Sequence, residues 1–172
     1  MKEIEVKILE INKEKIIKRL ESLGAKKIFQ GEVSGITFRS NNPNWDSENK
    51  LLRLRREANK FFLGFKGRTD KKSKAKVREE IEVEIDNFEN MLEILKKMGF
   101  SQKYRSKKYR ISYKLGDSRI EIENDKQFPI FLEVEAPSLK EIEKTVKLLG
   151  FRMSDTKNWG YMDLVKYYKH KK

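Results

Sequence analysis

Short segments with a charged residue at every second position recur along this chain, and this alternation constrains its fold more than any other feature. In the first segment Glu3, Glu5 and Lys7 alternate with Ile4, Val6 and Ile8. A period of two indicates a β-strand with one apolar face and one charged face. A single strand of this kind would turn its charged face to water, but the recurrence of the pattern indicates a shared interior.

The same alternation predicts about seven further strands. We expect them over residues 27–39, 50–57, 61–66, 76–86, 103–115, 119–123 and 131–136. Their charged faces carry acids and bases in different mixtures. The carboxylates are Glu3, Glu5, Glu80, Glu82, Glu84, Glu121, Glu123, Glu133 and Glu135, and the cations are Lys7, Arg53, Arg55, Lys66, Lys76, Arg78, Lys108 and Arg110.

Amphipathic helices are predicted between and after these strands. The expected N-caps are Asn12 for the first helix, Asp86 in a capping box with Glu89 for the second, and Ser138 in a capping box with Glu141 for the third; the corresponding stops are Gly24, Gly99 and Gly150. Residues 161–168 are predicted to add a short final helix. The segments 84–99 and 135–150 match without a gap, which indicates an internal strand–helix repeat.

The number of strands predicts the fold class. An antiparallel sheet of about eight twisted strands tends to curl and close. The helices need the apolar strand faces for their own burial, so they must pack outside and leave the charged faces inside. We therefore predict an α+β fold, a closed or nearly closed antiparallel β-barrel with helices packed outside, in a single domain over residues 1–172. Such an interior must hold water and ligands, because burying so many unpartnered charges would be prohibitive.

Composition restricts the chemistry that this interior can perform. The chain has no cysteine, and its one histidine, His170, lies in a basic tail, so acid–base or metal chemistry must use carboxylates, lysines and arginines. The formal net charge of +13 favours an anionic partner. Neither a signal peptide nor an apolar run of the ~18 residues needed to span a membrane is found. We expect no membrane association and a cytoplasmic location.

Carboxylates and cations together indicate metal and phosphate chemistry. Clustered carboxylates without histidine or cysteine suit Mg²⁺ or Mn²⁺. Clustered arginine and lysine suit phosphate oxygens, which arginine can bind with a bidentate fork. Metal beside phosphate is the chemistry of phosphoryl or nucleotidyl transfer.

The charged residues resemble motifs of the CYTH superfamily, the triphosphate tunnel metalloenzymes, which groups class IV adenylyl cyclases with thiamine triphosphatases and inorganic triphosphatases. The family's N-terminal Glu-x-Glu-x-Lys is matched by Glu3, Glu5 and Lys7. Five further elements follow in the family's order: Leu-Arg-Leu-Arg with Arg53 and Arg55, Phe-Lys-Gly with Lys66, Arg-x-Glu-x-Glu with Arg78, Glu80 and Glu82, Lys-x-Arg with Lys108 and Arg110, and Glu-x-Glu with Glu133 and Glu135. The resemblance runs from residue 3 to about residue 165.

This resemblance implies a tunnel that binds a triphosphate and a divalent metal. It assigns metal ligation to Glu3, Glu5, Glu123, Glu133 and Glu135, triphosphate binding to Lys7, Arg53, Arg55, Lys66, Arg78, Lys108 and Arg110, and catalysis to Glu5, Lys7, Glu80 and Glu82. The family usually has an aspartate where this chain has Glu123, and Asp125 follows two residues later. Glu123 is the better match in position, but its longer side chain would change the metal geometry.

The sequence is compatible with two enzymatic reactions and with a non-catalytic binding function. Attack of water on the terminal phosphorus would make the protein a triphosphatase of a nucleoside triphosphate, thiamine triphosphate or inorganic tripolyphosphate. Attack of the ribose 3′-oxygen on the α-phosphorus of ATP would make it a cyclase that releases cyclic AMP and pyrophosphate. The alternative is a non-catalytic module that binds RNA or polyphosphate, which would bind better without its carboxylates. We expect a triphosphate-containing small molecule as the partner, rather than nucleic acid, and a monomer or homodimer.

Overall fold

Nine strands and four helices make up most of the part of the chain that the structure, a computed structural model, describes, namely residues 2–42, 45, 50–70 and 73–171. The strands are β1 (Lys2–Ile8), β2 (Lys26–Ser40), β3 (Leu51–Glu57), β4 (Lys60–Lys66), β5 (Lys76–Ile85), β6 (Phe100–Leu115), β7 (Ser118–Asp125), β8 (Phe131–Glu135) and β9 (Thr156–Lys157). The helices are α1 (Lys13–Ser22), α2 (Phe88–Lys97), α3 (Leu139–Leu148) and α4 (Tyr161–Lys169), with a 3₁₀ turn at Met153–Asp155.

The strands form one sheet in the order β5-β4-β3-β2-β6-β7-β8-β1-β9. An additional pairing of β5 with β1 closes eight of these strands into an antiparallel barrel. The predicted α+β fold with a closed barrel is therefore confirmed. The short strand β9, which pairs with the end of β1, was not predicted.

Packing divides the chain into two compact units. The first unit contains Gly31–Thr69 and Arg78–Lys108, and the second contains Glu3–Gln30, Asp70–Val77 and residues 109–171. Strands β2, β5 and β6 each contribute residues to both units.

The second unit buries the apolar faces of β1, β7 and β8 under helices α1 and α3. Its core includes Val6, Ile8, Ile16, Leu20, Ile120, Ile122, Leu132, Val134, Ile142 and Val146. On β1, β7 and β8 these residues alternate with the charged ones, so the helices cover one face and the charged side chains occupy the other. This is the arrangement that the sequence predicts.

The first unit has its own core, in which α2 packs on β2 and β3. Leu92 and Leu95 of the helix cluster with Ile36, Phe38, Leu52 and Leu54 of the strands. Trp45 packs beside this core, with its ring centroid 5.3 Å from that of Phe100. Here too the helix covers the strand faces that do not carry the arginines.

Three of the predicted helix caps can be compared with the structure, and one is wrong. Asn12 Oδ1 accepts from Lys15 N at 2.9 Å, and Ser138 Oγ accepts from Glu141 N at 3.2 Å, as expected. For α2 the N-cap is Asn87 rather than Asp86, because Asn87 Oδ1 accepts from Asn90 N at 2.9 Å. Strand β5 ends at Ile85 and leaves room for either residue to cap, and the alternation pattern does not distinguish two adjacent cap formers.

Helix α4 docks on an aromatic cluster of the second unit. Leu164 and Tyr168 pack with Phe128 and Phe131, and Trp159 lies at the edge of this cluster. Among the residues that the structure describes, none of the helices combines the length and the apolar character needed to cross a bilayer.

Candidate active site

Two rows of charged residues cross the sheet of the second unit. In one row Lys7 on β1 is paired with Glu133 on β8, which is paired with Glu121 on β7. In the other row Glu5 is paired with Glu135, which is paired with Arg119. Residues in register on neighbouring strands lie on the same face of a sheet. Each row therefore contains one pair of opposite charges and one pair of two glutamates.

Lys7 joins these two rows. Its Nζ lies 2.8 Å from Glu5 Oε1 and 2.8 Å from Glu133 Oε1, and the residue is only 3% exposed. Burial disfavours its charge, but the Glu133 and Glu5 carboxylates outweigh this effect and raise the pKa of Lys7 above its ordinary value. Lys7 is therefore a permanent ammonium ion at physiological pH.

Arg110 on β6 is another buried cation of this unit. Its Nη1 donates to Glu121 Oε1 at 2.8 Å and its Nε donates to Glu123 Oε1 at 2.8 Å, with a further contact from Nη2 to the same Glu123 oxygen. Desolvation opposes the charge, but Glu121, Glu123 and Glu133 raise the pKa of Arg110 above its ordinary value. Its guanidinium fork thus holds two carboxylates in fixed positions.

Three carboxylates converge beside these two cations. One oxygen from each of Glu121, Glu123 and Glu133 lies within 4.8 Å of the other two. Glu121 and Glu123 are buried, and Glu133 is partly buried. An all-oxygen set of this spacing fits a hard divalent cation such as Mg²⁺ or Mn²⁺.

The structure brings together some of the predicted ligands and adds one residue. Glu123 and Glu133 are in the carboxylate cluster, and Glu121 joins them although sequence reasoning did not assign it a metal role. The signal was present, because Glu121 and Glu123 form another Glu-x-Glu pair on one strand face. Glu3 and Glu5 are buried on β1, and Glu135 is half-buried on β8, but within the described residues none of these three belongs to the cluster.

Asp125, the other candidate for the family's aspartate position, makes different contacts. Its Oδ1 accepts from Gln127 N at 2.9 Å, and its Oδ2 accepts from the Tyr161 hydroxyl at 3.4 Å. The bond from Tyr161 connects the end of β7 to the start of α4. Of the two residues, Glu123 is the one that lies in the carboxylate cluster.

Two of the predicted cations in the first unit pair with carboxylates of β5. Arg55 Nη2 donates to Glu82 Oε1 at 2.7 Å, and the Lys66 Nζ lies 3.0 Å from Glu80 Oε1. Arg55 also contacts Glu57 and lies over the Phe62 ring, 4.6 Å from its centroid. These four residues, all of them predicted to lie in the site, thus form two ion pairs within the first unit.

The remaining cations of this unit differ in their surroundings. Arg53 is opposite Gly64 of β4, where an added Cβ would lie 3.3 Å from Glu82 Oε2. Arg78 is buried and donates to the carbonyl oxygens of Gly67 at 2.7 Å and Lys66 at 3.0 Å. Lys108 is half-buried on β6.

Lys76 is a charged residue that the sequence analysis counted on a strand face but did not assign to the site. Its Nζ lies 2.6 Å from Glu5 Oε1, and the residue is 8% exposed. The two residues are 71 positions apart, so their contact depends on the closure of β5 onto β1. Alternation predicts the face on which Lys76 lies, but it cannot predict this partner.

Comparisons with known proteins agree with the fold. The model of the CYTH domain family matches residues 1–153 of the chain. A Methanocaldococcus jannaschii protein named "putative adenylate cyclase" is 35% identical over 150 residues, which are 87% of this chain and 84% of the relative. The chain therefore belongs to the CYTH domain family.

Solved structures show the same architecture. The PH1012 protein of Pyrococcus horikoshii is 29% identical and superposes with a TM-score of 0.78, over 94% of this chain and 98% of that one. A Hippeastrum protein, described as an adenylyl cyclase with a dominant triphosphatase activity, is 17% identical with a TM-score of 0.65, over 99% of this chain and 96% of that one. At that identity the Hippeastrum protein supports the fold alone.

Proposed function

We propose that this chain is a divalent-metal-dependent enzyme that acts on a triphosphate substrate. The observation that carries the proposal is the convergence of the Glu121, Glu123 and Glu133 carboxylates beside the buried cations Lys7 and Arg110. In such an arrangement the carboxylates can bind the metal ion and the cations can bind the phosphate oxygens. Membership of the CYTH family supports this interpretation.

The carboxylates are proposed to hold the metal. Glu123 and Glu133 would be ligands together with Glu121, and Glu3, Glu5 and Glu135 are proposed to contribute from the same strand faces. When bound, Mg²⁺ or Mn²⁺ supplies charge neutralisation on phosphate oxygens and a Lewis acid at the reacting phosphorus.

The cations are proposed to bind phosphate oxygens. Lys7 and Arg110 are suited to this role because neighbouring carboxylates raise the pKa of both, which favours their charged forms. We extend the same role to the predicted cations of the first unit, namely Arg53, Arg55, Lys66, Arg78 and Lys108. Glu80 and Glu82 are proposed to orient Lys66 and Arg55, with which they pair, or a water molecule.

The attacking group determines which reaction follows. The name of the Methanocaldococcus jannaschii relative points to cyclic AMP and pyrophosphate as products. The same set of carboxylates and cations serves equally for attack of water on a terminal phosphorus, because both reactions need charge neutralisation and in-line positioning. The experiment must therefore resolve products rather than follow loss of substrate.

A product assay with a matched variant tests the proposal. The protein is incubated with ATP, thiamine triphosphate or tripolyphosphate and with Mg²⁺ or Mn²⁺, and the products are separated by chromatography. We expect metal-dependent turnover that falls at least a hundredfold in Glu133→Gln and stays within about twofold in Glu84→Gln, whose carboxylate is exposed and bonded to Lys60. Orthophosphate identifies a triphosphatase, and cyclic AMP with pyrophosphate identifies a cyclase.

The same assay separates an enzyme from a polyanion-binding module. A module would show no turnover with any metal, and its affinity for tripolyphosphate would increase in Glu133→Gln because a repulsive carboxylate is removed. That pair of results would contradict the proposal.

A further inference from the structure

One oxygen of Glu5 accepts from two ammonium groups at once. Lys7 Nζ lies 2.8 Å from Glu5 Oε1, and Lys76 Nζ lies 2.6 Å from the same atom. The Lys7, Glu5 and Lys76 side chains are 4%, 8% and 10% exposed, so water contributes little at this point. The two lysines come from strands at distant positions in the chain and meet on one acceptor.

These two contacts occupy the hydrogen-bond acceptor sites of Glu5 Oε1. A carboxylate oxygen offers two lone-pair sites, and the two ammonium groups occupy both at Oε1. A metal ion that binds this oxygen must displace one of them. A divalent ion at Glu5 would also lie close to two positive charges in a site of low dielectric, where repulsion is strong.

The two lysines differ in their positions in the fold. Lys7 also contacts Glu133 at 2.8 Å, so its movement would break ion pairs with two carboxylates. Lys76 is the first residue of β5, the strand that pairs with β1, and its Nζ contacts Glu5. It also stands two residues before the Arg-x-Glu-x-Glu element, outside the motifs that the family resemblance covers.

We propose that Lys76 is an internal counter-cation that competes with divalent metal for Glu5 and thereby sets the metal affinity of the site. This proposal rests on the metal site proposed above. Lys76 acts on the ligand Glu5 rather than on the substrate, and is a positioning residue. It keeps Glu5 neutralised until metal concentration is high enough to displace the ammonium group.

Mn²⁺ binding without substrate tests the proposal. Titration calorimetry or electron paramagnetic resonance would measure the Kd for wild type, Lys76→Met and Lys76→Gln, both neutral replacements. We expect the Kd of either variant to fall about tenfold, because the competing charge is lost while Glu5 remains. Two replacements of different polarity keep the test decisive if one of them fails to fold.

Two controls make the result specific to this ion pair. Lys60→Met removes one exposed positive charge that pairs with Glu84, and it should leave the Kd within about twofold. In a Glu5→Gln background, Lys76→Met should no longer increase affinity, because the gain requires the Glu5 carboxylate. A Kd that is unchanged or higher in both Lys76 variants, or a gain that persists without Glu5, would overturn the proposal.

The outcome is separable from that of the proposed function. Metal-dependent turnover with an unchanged Kd in the Lys76 variants would reject the role of Lys76 alone. Failure of wild type and of every variant to bind Mn²⁺ would reject the metal site and the role of Lys76 together.

Discussion

Arg110 shows how a single side chain organises the acidic cluster. Its three donor nitrogens contact Glu121 and Glu123, which are 7% and 0% exposed. Two buried carboxylates would repel each other without a cation between them. The guanidinium therefore offsets the repulsion between these two buried carboxylates.

Removing this guanidinium should destabilise the protein strongly. We expect Arg110→Met to lower the free energy of unfolding by about 3–5 kcal/mol, because it leaves buried carboxylates uncompensated. Chemical denaturation at neutral pH would measure the loss. Mn²⁺ should restore part of it, because a bound cation can replace the missing charge.

Arg119→Met is the matched comparison for this experiment. Arg119 also donates to Glu121 Oε1, at 2.7 Å, but its side chain is 37% exposed. Its loss should cost less than about 1 kcal/mol. Equal losses in the two variants would contradict the view that burial determines the importance of the Arg110 contacts.

Single residues also show how far the sequence specifies the site. Alternation places Lys7, Glu133 and Arg110 on the charged faces that the structure gives them. It does not show that Lys7 pairs with Glu133 or that Lys76 reaches Glu5, because these contacts depend on strand order and register. Register is a property of the closed sheet, and no local pattern in the chain encodes it.

Helix α4 is attached to the residue Glu10, which follows β1, by polar contacts at its C-terminal end. The Tyr168 hydroxyl donates to Glu10 Oε1 at 3.1 Å, and Lys171 Nζ lies 2.8 Å from the same oxygen. Burial and then the hydrogen bond to Glu10 raise the pKa of Tyr168 to about 12. The neutral phenol is thus favoured when α4 is docked.

This attachment should make docking sensitive to alkaline pH. The stabilisation from Tyr168 is fully present below the ordinary tyrosine pKa of about 10 and is lost as the pH rises through about 12. Ultraviolet difference titration of wild type against Tyr168→Phe should show one phenol that ionises near pH 12. A difference curve centred near pH 10 would show that Tyr168 is not held by this contact.

The elements themselves were the most predictable part of the fold. Alternation over 76–86 predicts a strand that the structure places at Lys76–Ile85, and Asn12 caps α1 as expected. The prediction fails where two adjacent residues offer equal chemistry, as at the N-cap of α2. It also misses β9, because two residues that pair with the end of β1 carry no pattern of their own.

Across the whole molecule the positive charge is unevenly distributed. The buried charged residues of the described chain comprise five acids and five bases, although the full chain has 40 basic and 27 acidic residues. The buried residues that the structure describes therefore contribute nothing to the excess of +13. Net charge alone is for this reason weak evidence for a phosphate site.

This distribution gives a test of where triphosphate binds. We expect the triple variant Lys103→Gln, Arg105→Gln, Lys107→Gln, which alters three exposed positions of β6, to elute earlier from heparin while its tripolyphosphate Kd stays within about twofold. Calorimetry would measure the Kd, and thermal unfolding would check the fold. A tenfold loss of tripolyphosphate affinity would favour binding at the surface.

Strand β1 has a further consequence for how the protein is made. Its main pairing partner, β8, lies at residues 131–135, so this edge of the barrel stays open until most of the polypeptide has left the ribosome. At a synthesis rate of roughly 5–20 residues per second, the first strand waits on the order of ten seconds for its neighbour. Glu3, Glu5 and Lys7 then serve a second purpose, since charges at alternate positions discourage an unpaired strand from associating with other nascent chains.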